Sequence, residues 1–292
     1  MNSRPQRDDK QSTFFLHSKQ NREESLRAQR EDQLITHAMG GPLSEQADTN
    51  TFKHVLHIAC GSGNWTIEAA QRYQQMSLIG IDSNSHILDY AREQAIAAQV
   101  AERVTFQVMD ALLPLDFPAT SFDLINLRLG VTFIRTWEWP KVMAELLRVG
   151  RAGTVIRLTE SQVLHQNKGP TDNPGLAQLH TALMRALYRS GHLFKEETTG
   201  ITAHLAPLLI RFGCRNVQTK EYTVEVRAGT PEWQDYYENA LRIMPGAHPF
   251  LKKWGCSPDD FEALYQQVIE EMRKPNFHVS WNFLTVWGKT SL

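Results

Sequence analysis

The stretch that decides the fold is Val55-Leu-His-Ile-Ala-Cys-Gly-Ser-Gly-Asn-Trp65. Its apolar start predicts a buried strand, and the glycines after it predict a tight turn into a helix. Gly61 and Gly63 lack a Cβ atom, so this turn can approach a ligand closely. A second apolar run, Ser77-Leu-Ile-Gly-Ile81, ends in Asp82, whose carboxylate can accept both hydroxyl hydrogens of a ribose. The pairing predicts a pocket for an adenosine-based ligand at the carboxyl ends of two neighbouring parallel strands.

The third glycine position separates two classes of ligand. A dinucleotide site uses G-x-G-x-x-G, in which the third glycine allows close packing of the helix beside a pyrophosphate. Here that position is Thr66. The stretch instead resembles motif I of the class I S-adenosylmethionine-dependent methyltransferases, usually (D/E)-x-G-x-G-x-G, whose ligand has no phosphate. His57 stands where that motif usually has its acid, and Ala59 stands where it has its first glycine.

Three later segments extend the resemblance. A third strand is predicted over Val104-Thr-Phe-Gln-Val108, and it runs into Met109-Asp110-Ala111. The family's fourth strand resembles Pro118–Asn126, and its helix and turn before strand five resemble Glu145–Gly153. The resemblance is close over residues 50–160. It implies an α/β fold with a Rossmann-like, seven-stranded, mostly parallel sheet, an antiparallel last strand, and S-adenosyl-L-methionine as the cofactor.

The residues that the resemblance implies for cofactor binding lie at the ends of these strands: His57, Ala59, Gly61, Gly63, Asp82, Ser83, Asp110, Ala111 and Asn126. Asp82 is expected to hold the ribose, with Ser83 or Asn84 beside it. Asp110 is expected at the adenine edge, and Asn126 beside the methionine portion.

Two of these positions have an alternative interpretation. His57 either packs near the strand end with one ring nitrogen satisfied, which we favour, or rebuilds the pocket for the amino-acid end of the cofactor. Asp82 either holds the ribose, which its spacing from Gly61 and Gly63 favours, or acts as an ordinary N-cap of the following helix.

Methyl transfer from a sulfonium needs alignment, exclusion of water and sometimes a base, so a universal catalytic residue is not expected. Glu160, at the end of strand five, is the preferred candidate for a catalytic base, with a salt-bridge or capping role as the alternative. Arg128 is a candidate anion clamp. The other candidates are histidines, namely His165, His180 and His278.

Composition limits the function further. The chain has 292 residues with 31 basic against 32 acidic side chains, and without a basic stripe a nucleic-acid partner is disfavoured. No apolar run reaches the roughly 20 residues of a membrane span, and the polar first residues predict no signal peptide. Cys60, Cys214 and Cys256 share no metal-ligand spacing. We therefore expect a cytoplasmic protein that uses a small-molecule substrate, binds no metal and no membrane, and is compatible with homo-oligomerisation.

The predicted organisation places additional helices around a cofactor-binding core. In order, we expect a disordered tail (1–13), a helical arm or lid (14–50), the core (51–160), a cap insertion after strand five (161–200), and the C-terminal part of the core (201–292) with a helical insertion (229–275). Leu26, Gln33, Leu34 and Met39 are the arm residues expected to dock on the core. Asn173 is expected to cap a helix that carries a leucine stripe.

The sequence predicts a methyltransferase that acts on an O, N or C atom of a small organic molecule, in secondary metabolism or quinone-like biosynthesis. One alternative is a protein of the same fold that binds the cofactor and acts as a non-methylating cyclase or binding module. A nicotinamide-dependent oxidoreductase is disfavoured by Thr66 and by Met109-Asp110-Ala111. A nucleic-acid or protein methyltransferase is disfavoured by the neutral charge and by Asn126-Leu-Arg-Leu129 after strand four.

Overall fold

A computed structural model describes residues 22–162 and 173–291, and their fold is built around a single seven-stranded sheet. The strand order is β3-β2-β1-β4-β5-β7-β6. Strands β1 to β5 run parallel, whereas β7 is antiparallel to both β5 and β6. The strands are β1 His54–Ile58, β2 Ser77–Asp82, β3 Val104–Val108, β4 Phe122–Arg128, β5 Gly150–Ser161, β6 Arg215–Arg227 and β7 His278–Lys289. The predicted fold class is thereby confirmed.

Eight α-helices surround the sheet in the described part of the chain. They are α1 Arg22–Ala38, α2 Asn64–Arg72, α3 Ser85–Ala97, α4 Trp139–Val149, α5 Pro174–Arg189, α6 Thr202–Arg211, α7 Pro231–Lys253 and α8 Phe261–Met272. A short 3₁₀ turn, Gly130–Thr132, follows β4. The helices α7 and α8 fill the expected insertion between β6 and β7.

The central strands are buried on both faces because helices cover the sheet on each side. Val55 and Leu124 point to one face and pack with the apolar side chains of α2 and α3. Leu56 and Ile125 point to the opposite face, where the larger core includes α4 and α5. Side chains alternate between faces along a strand, so the apolar run of β1 supplies both cores at once.

Helix α5 begins where expected, but the side chain of Asn173 does not cap it. Asn173 occupies the N-cap position but its side chain makes no capping hydrogen bond. Instead, Glu271 of α8 accepts hydrogen bonds from the backbone amides of Gly175 and Leu176, at 2.8 and 3.0 Å. A carboxylate from a distant helix therefore satisfies the first turn of α5, where it also complements the positive end of the helix dipole.

The arm docks on the core through two of the four residues expected, Leu34 and Met39, and not through the other two. Leu26 is 40% exposed, and Gln33 is also exposed. Ile35 and Met39 are buried in the larger core, and Leu34 packs against it. The prediction was wrong for Leu26 and Gln33 because the inward face of α1 also carries buried polar residues, which an apolar pattern does not reveal.

Two predicted segments lie partly outside the described residues. They are the tail and first part of the arm (1–21) and most of the polar loop after β5 (163–172). His165 falls in the second of these. No helix in residues 22–162 or 173–291 is long and apolar enough to span a membrane.

Candidate functional site

The turn between β1 and α2 has the left-handed backbone that its glycines allow. Gly61 and Gly63 have φ angles of 53° and 76°, and Ala59 also has a positive φ of 52°. A Cβ atom built on Gly61 would meet only Ile87, at 3.9 Å. Gly61 therefore borders open space at the carboxyl end of the sheet, where a ligand can contact the backbone directly.

Gly63 is required for a different reason. A Cβ atom on this residue would lie 2.6 Å from Cζ of Phe106 and 2.9 Å from Cβ of Ala91. Such distances are too short for carbon atoms, so only glycine lets α2 pack closely against α3 and β3. The two glycines of the motif thus have separate tasks, one toward the ligand space and one toward the core.

Asp82 joins the glycine turn to the end of β2. Its carboxylate accepts hydrogen bonds from the backbone amides of Gly61, at 3.0 Å, and Asn84, at 2.9 Å. The N-cap of α3 is Asn84, whose side chain accepts from the amides of His86 and Ile87. The alternative role of Asp82 as the helix N-cap is therefore wrong, because Asn84 makes those bonds.

The end of β3 lies next to Asp82. The backbone amide of Met109 donates to the carbonyl of Asp82 at 2.9 Å. The carboxylate of Asp110 accepts from the amide of Leu112 at 2.8 Å and stays partly exposed. Ser83 is exposed and Ala111 is half-buried. The structure thus brings the predicted ribose and adenine residues to one edge of the sheet.

His57 is buried at the position where motif I usually has an acid. The residue is only 2% exposed, and its Nδ1 lies 2.8 Å from the Thr66 hydroxyl. The ring also packs edge-on against Trp65. Burial, and then the charges of Arg128 and Arg157, hold the pKa of His57 well below its usual value. The imidazole is therefore neutral, and its Nε2 has no partner among the described residues.

A buried polar network lies under the same face of the sheet. Arg157 donates from Nε to Glu45 at 2.7 Å and from Nη1 to the Asn126 amide oxygen at 2.7 Å. The side chains of Arg157 and Glu45 are both 0% exposed. The Asn126 nitrogen Nδ2 has no partner in the described residues. The network fixes the side-chain amide of Asn126 with its oxygen toward Arg157.

Arg128 ends β4 and reaches the arm helix. Its Nη1 lies 3.0 Å from the Asp32 carboxylate and donates to the Thr36 hydroxyl at 2.8 Å. Asp32 in turn accepts from the backbone amide of Trp65 at 2.8 Å, at the start of α2. The side chain of Asp32 thus links the arm to β4 and to the helix after the glycine turn.

Glu160 is buried on the opposite face of the sheet. One carboxyl oxygen accepts from the backbone amide of Val131 at 3.1 Å, and the other has no partner among the described residues. Burial raises its pKa to about 8. The carboxyl group is therefore mainly protonated near neutral pH, when it is a hydrogen-bond donor rather than a base.

The remaining histidine candidates are in structural settings. His180 is buried in α5, and burial lowers its pKa to about 4. His278 pairs with Glu225 across β6 and β7. Within the described ranges, no group of three or more histidine, cysteine or acidic residues could hold a metal ion.

The aromatic residues of the insertion serve largely as packing. Trp233 stacks on Tyr237 with ring centroids 5.4 Å apart, and its indole donates to the carbonyl of Met272. Tyr236 and Phe250 are buried in the larger core. Tyr236 also borders a small cleft between α1 and α7 that includes Trp281. Most of these aromatic side chains therefore support the packing of the insertion.

Sequence reasoning did not find Asp32, Thr36 or Glu45. Asp32 and Thr36 lie on a charged helix, and Glu45 follows it in the connection to β1. Nothing in their local sequence distinguishes these residues from solvated polar side chains. Only the packing of the segment before β1 against β4 and β5 places them beside buried arginines.

Comparison with known proteins agrees with this geometry. A family described as a methyltransferase domain matches residues 55–153. The chain is 34% identical over 115 residues to a demethylmenaquinone methyltransferase of Deinococcus radiodurans, covering 39% of this chain and 46% of that protein. It is 24% identical over 140 residues to the methyltransferase str3 of Strobilurus tenacellus, covering 48% and 47%. The chain thus spans about half the length of the curated relatives it matches.

A solved structure supports the fold over more of the chain. Phosphoethanolamine N-methyltransferase 2 of Haemonchus contortus, in complex with S-adenosyl-L-methionine, aligns with a TM-score of 0.51 and 18% identity, covering 88% of this chain and 52% of that one. The strand order, the glycine turn and the matched domain together define a class I methyltransferase fold. Residues 55–153 thus match a methyltransferase domain, and the described fold is that of the class I methyltransferases, as the motifs predicted.

Proposed function

We propose that the protein is an S-adenosylmethionine-dependent methyltransferase that acts on an O, N or C atom of a small organic molecule. The observation that carries the proposal is the hydrogen bond from the Gly61 amide to Asp82, within the domain that matches methyltransferases. It joins the two parts of the sequence motif into one site. When bound, the cofactor would supply an electrophilic methyl group and a good leaving group.

The residues present fit this cofactor. Open space beside Gly61 allows a ligand to lie against the turn, and buried nitrogens of His57 and Asn126 lack partners among the described residues. A carboxylate offers about four acceptor directions, so Asp82 can hold both the turn and the ribose hydroxyls. Ser83 lies beside it, and Asp110 with Ala111 would meet the adenine edge. Ala59, Gly61 and Gly63 supply the backbone of the site.

The arm helix α1 is proposed as a lid on this site. Asp32 contacts both Arg128 and the start of α2, so α1 lies directly over the carboxyl edge of the sheet. On its other side, Arg30 pairs with Glu238 of α7 at 2.9 Å. The arm would exclude water from the reacting atoms, which favours transfer to the substrate over side reactions.

Glu160 is proposed to control a proton in the substrate region. It stands beside the 3₁₀ turn after β4 and keeps one oxygen without a partner in the described residues. With a pKa of about 8, it would donate a hydrogen bond at neutral pH and accept a proton from a hydroxyl or amine only at higher pH.

The small-molecule assignment, in quinone-like or secondary metabolism, is supported by the named relatives and by the balanced charge of the chain. Neutral charge is also the basis for proposing no nucleic-acid partner. The three free cysteines, two of them buried, support a reducing compartment such as the cytoplasm.

The test is calorimetric binding of S-adenosylhomocysteine to the wild type, Asp82→Asn and Asp123→Asn. Asp123 is a matched control because its carboxylate also accepts from two backbone amides, those of Lys53 and His54, at the opposite end of the sheet. We expect Asp82→Asn to lose at least tenfold in affinity and Asp123→Asn to keep wild-type affinity.

Equal affinities for the wild type and Asp82→Asn would sink the ribose assignment, and no binding to the wild type would sink the cofactor assignment. Transfer of a labelled methyl group to a panel of phenols, quinols and amines then tests the reaction. Binding without transfer to any of them would favour the cyclase or binding-module alternative.

A further inference from the structure

We propose that a cavity at the amino ends of the parallel strands binds a neutral polyhydroxyl ligand, such as the pyranose ring of a sugar. The cavity has a volume of about 560 Å³, and small-molecule sites typically enclose roughly 300–1,000 Å³. It is separate from the proposed cofactor site, because the glycine turn and Asp82 lie at the carboxyl ends of the strands. The two sites can therefore be tested independently.

One wall of the cavity is the connection between α1 and β1, residues 45–52, which is fixed at both ends. At one end Glu45 pairs with Arg157 at 2.7 Å, and both side chains are fully buried. At the other end Phe52 is buried, and the Asp123 carboxylate accepts hydrogen bonds, at 3.0 and 2.8 Å, from the two backbone amides that follow it. A cavity with such a wall is already formed before a ligand enters, as is usual for small-molecule sites.

The floor of the cavity is the face of β5, β6 and β7 that carries Trp287. Gln218 of β6 and Arg157 of β5 lie directly opposite Trp287 in the neighbouring strands, so these side chains share one face of the sheet. Trp287 and Gln218 line the cavity together with Val155. An indole ring has a broad apolar surface whose face is electrostatically negative, and it therefore suits the weakly positive C–H groups of a sugar ring.

The polar groups of the lining suit hydroxyls. Gln46, Asn216 and Gln218 supply side-chain amides, and Thr51 supplies a hydroxyl. Amides and hydroxyls both donate and accept hydrogen bonds, as the hydroxyls of a sugar do. A polyhydroxyl ligand can therefore find a partner for each hydroxyl around an aromatic floor.

The charges of the lining cancel one another. Glu45 is neutralised by its buried ion pair, and Asp123 pairs with Arg151 at 2.6 Å. The other charged residues of the lining are Asp48 and Lys289, one of each sign. A ligand with a net charge would be attracted by one of these two residues and repelled by the other, so the lining favours a neutral ligand.

The experiment is ligand-observed saturation-transfer NMR with the methyl glycosides of glucose, galactose, mannose and xylose. Glucuronate and glucosamine serve as the negatively and positively charged counterparts. The wild type should transfer saturation to the ring protons of at least one neutral glycoside. The dissociation constant should be about 1–10 mM, as ligand efficiency implies for about a dozen heavy atoms.

Trp287→Leu and Gln218→Leu should each weaken this binding at least about fivefold, which corresponds to the loss of one stacking or hydrogen-bonding partner. Trp287 also packs against the core beside α2, so thermal melts identify a variant that fails to fold. Gln218 is exposed, and Gln218→Leu alone decides if Trp287→Leu does not fold. The matched control is Trp137→Leu, which removes a 62% exposed tryptophan outside the cavity and should keep wild-type binding.

Three results would overturn the inference. The first is no saturation transfer to any of the neutral glycosides at about tenfold the expected constant. The second is equal or tighter binding of a charged counterpart, which would contradict the argument from the lining charges. The third is unchanged binding in a folded Gln218→Leu or Trp287→Leu variant, or an equal loss in Trp137→Leu, which would place the sugar elsewhere on the protein.

Discussion

Replacing Glu45 by Gln should destabilise the protein far more than the loss of a surface ion pair. The side chains of Glu45 and Arg157 are both 0% exposed, and two contacts join them, at 2.7 Å from Nε to Oε1 and 3.3 Å from Nη2 to Oε2. The amide of Gln keeps the shape but leaves the Arg157 charge without a counter-charge. Breaking a buried pair in this way costs about 3–5 kcal/mol, a large part of a total stability of about 5–15 kcal/mol.

The pH dependence of this effect has a definite sign. Burial raises the pKa of Glu45, but the charge and hydrogen bonds of Arg157 outweigh burial and leave that pKa below its ordinary value. A depressed carboxylate pKa stabilises the folded state above the unfolded pKa of about 4.3. That stabilisation is lost as the pH falls through the lower, folded pKa. The difference between wild type and Glu45→Gln should therefore be full at pH 7 and shrink in acid.

The assay is urea unfolding followed by circular dichroism, at pH 7 and at several values below pH 5. The control is Glu196→Gln, which breaks the ion pair between Glu196 and Arg185. These side chains are 44% and 57% exposed, respectively. An exposed pair contributes about 0–1 kcal/mol. The double variant Glu45→Gln with Arg157→Met should recover part of the loss, because it removes the uncompensated charge. A loss below about 1 kcal/mol for Glu45→Gln, or strict additivity in the double variant, would refute the reasoning.

Two further predictions concern the glycine turn and the buried acid. Gly63→Ala should lower the melting temperature sharply, because the added Cβ would lie 2.6 Å from Phe106. The control is Gly153→Ala, which has a similar φ of 79° and no heavy atom within 4 Å of the added Cβ, and which should cost only about 1 kcal/mol of stability. Equal melting temperatures for the two variants would contradict the packing argument. The pKa of Glu160 is raised to about 8 in the folded protein, so the native state keeps a proton that the unfolded state loses above about pH 4.3. The free energy of unfolding should therefore fall by up to about 1.4 kcal/mol per pH unit as the pH rises from about 4.3 to about 8. Chemical denaturation from pH 5 to pH 8 should show this slope in the wild type and not in Glu160→Gln, and parallel profiles would count against a raised pKa.

The local parts of the fold were open to prediction from the sequence. The bounds of β2 and β3 are those of the runs Ser77–Asp82 and Val104–Val108 that the sequence indicates, because apolar runs and glycines act over short distances along the chain. The N-cap of α8 is local in the same way, because Asp260 accepts from the amide of Ala263 within the same turn. The positions of Asp82 and Asp110 at one edge of the sheet also followed from the sequence, because Asp82 ends β2, Asp110 follows β3 by two residues, and parallel strands present their carboxyl ends at one edge.

Other features required the folded chain. The capping carboxylate of α5 is Glu271, 96 positions away from the Gly175 amide that donates to it. The local signal at Asn173 therefore indicated where the helix begins but not which side chain caps it. Glu160 was predicted at a strand end, but its full burial and protonation depend on what packs around the 3₁₀ turn after β4. Strand periodicity gives the face of a residue and not the side chains that approach it from other elements.

The sequence by itself determined the class of fold, the glycine turn and the edge of the sheet where a nucleoside-type ligand would bind. Tertiary structure decided the electrostatics of that edge, because the partners of Arg128 and Arg157 are Asp32 and Glu45, which come from the segment before the first strand. Hydrophobic patterning records burial along one element, whereas a buried ion pair depends on which distant segments meet. A charged helix face such as that of α1 gives no local sign of such a meeting, and its contacts with Arg128 and with the start of α2 were therefore visible only once the chain had folded.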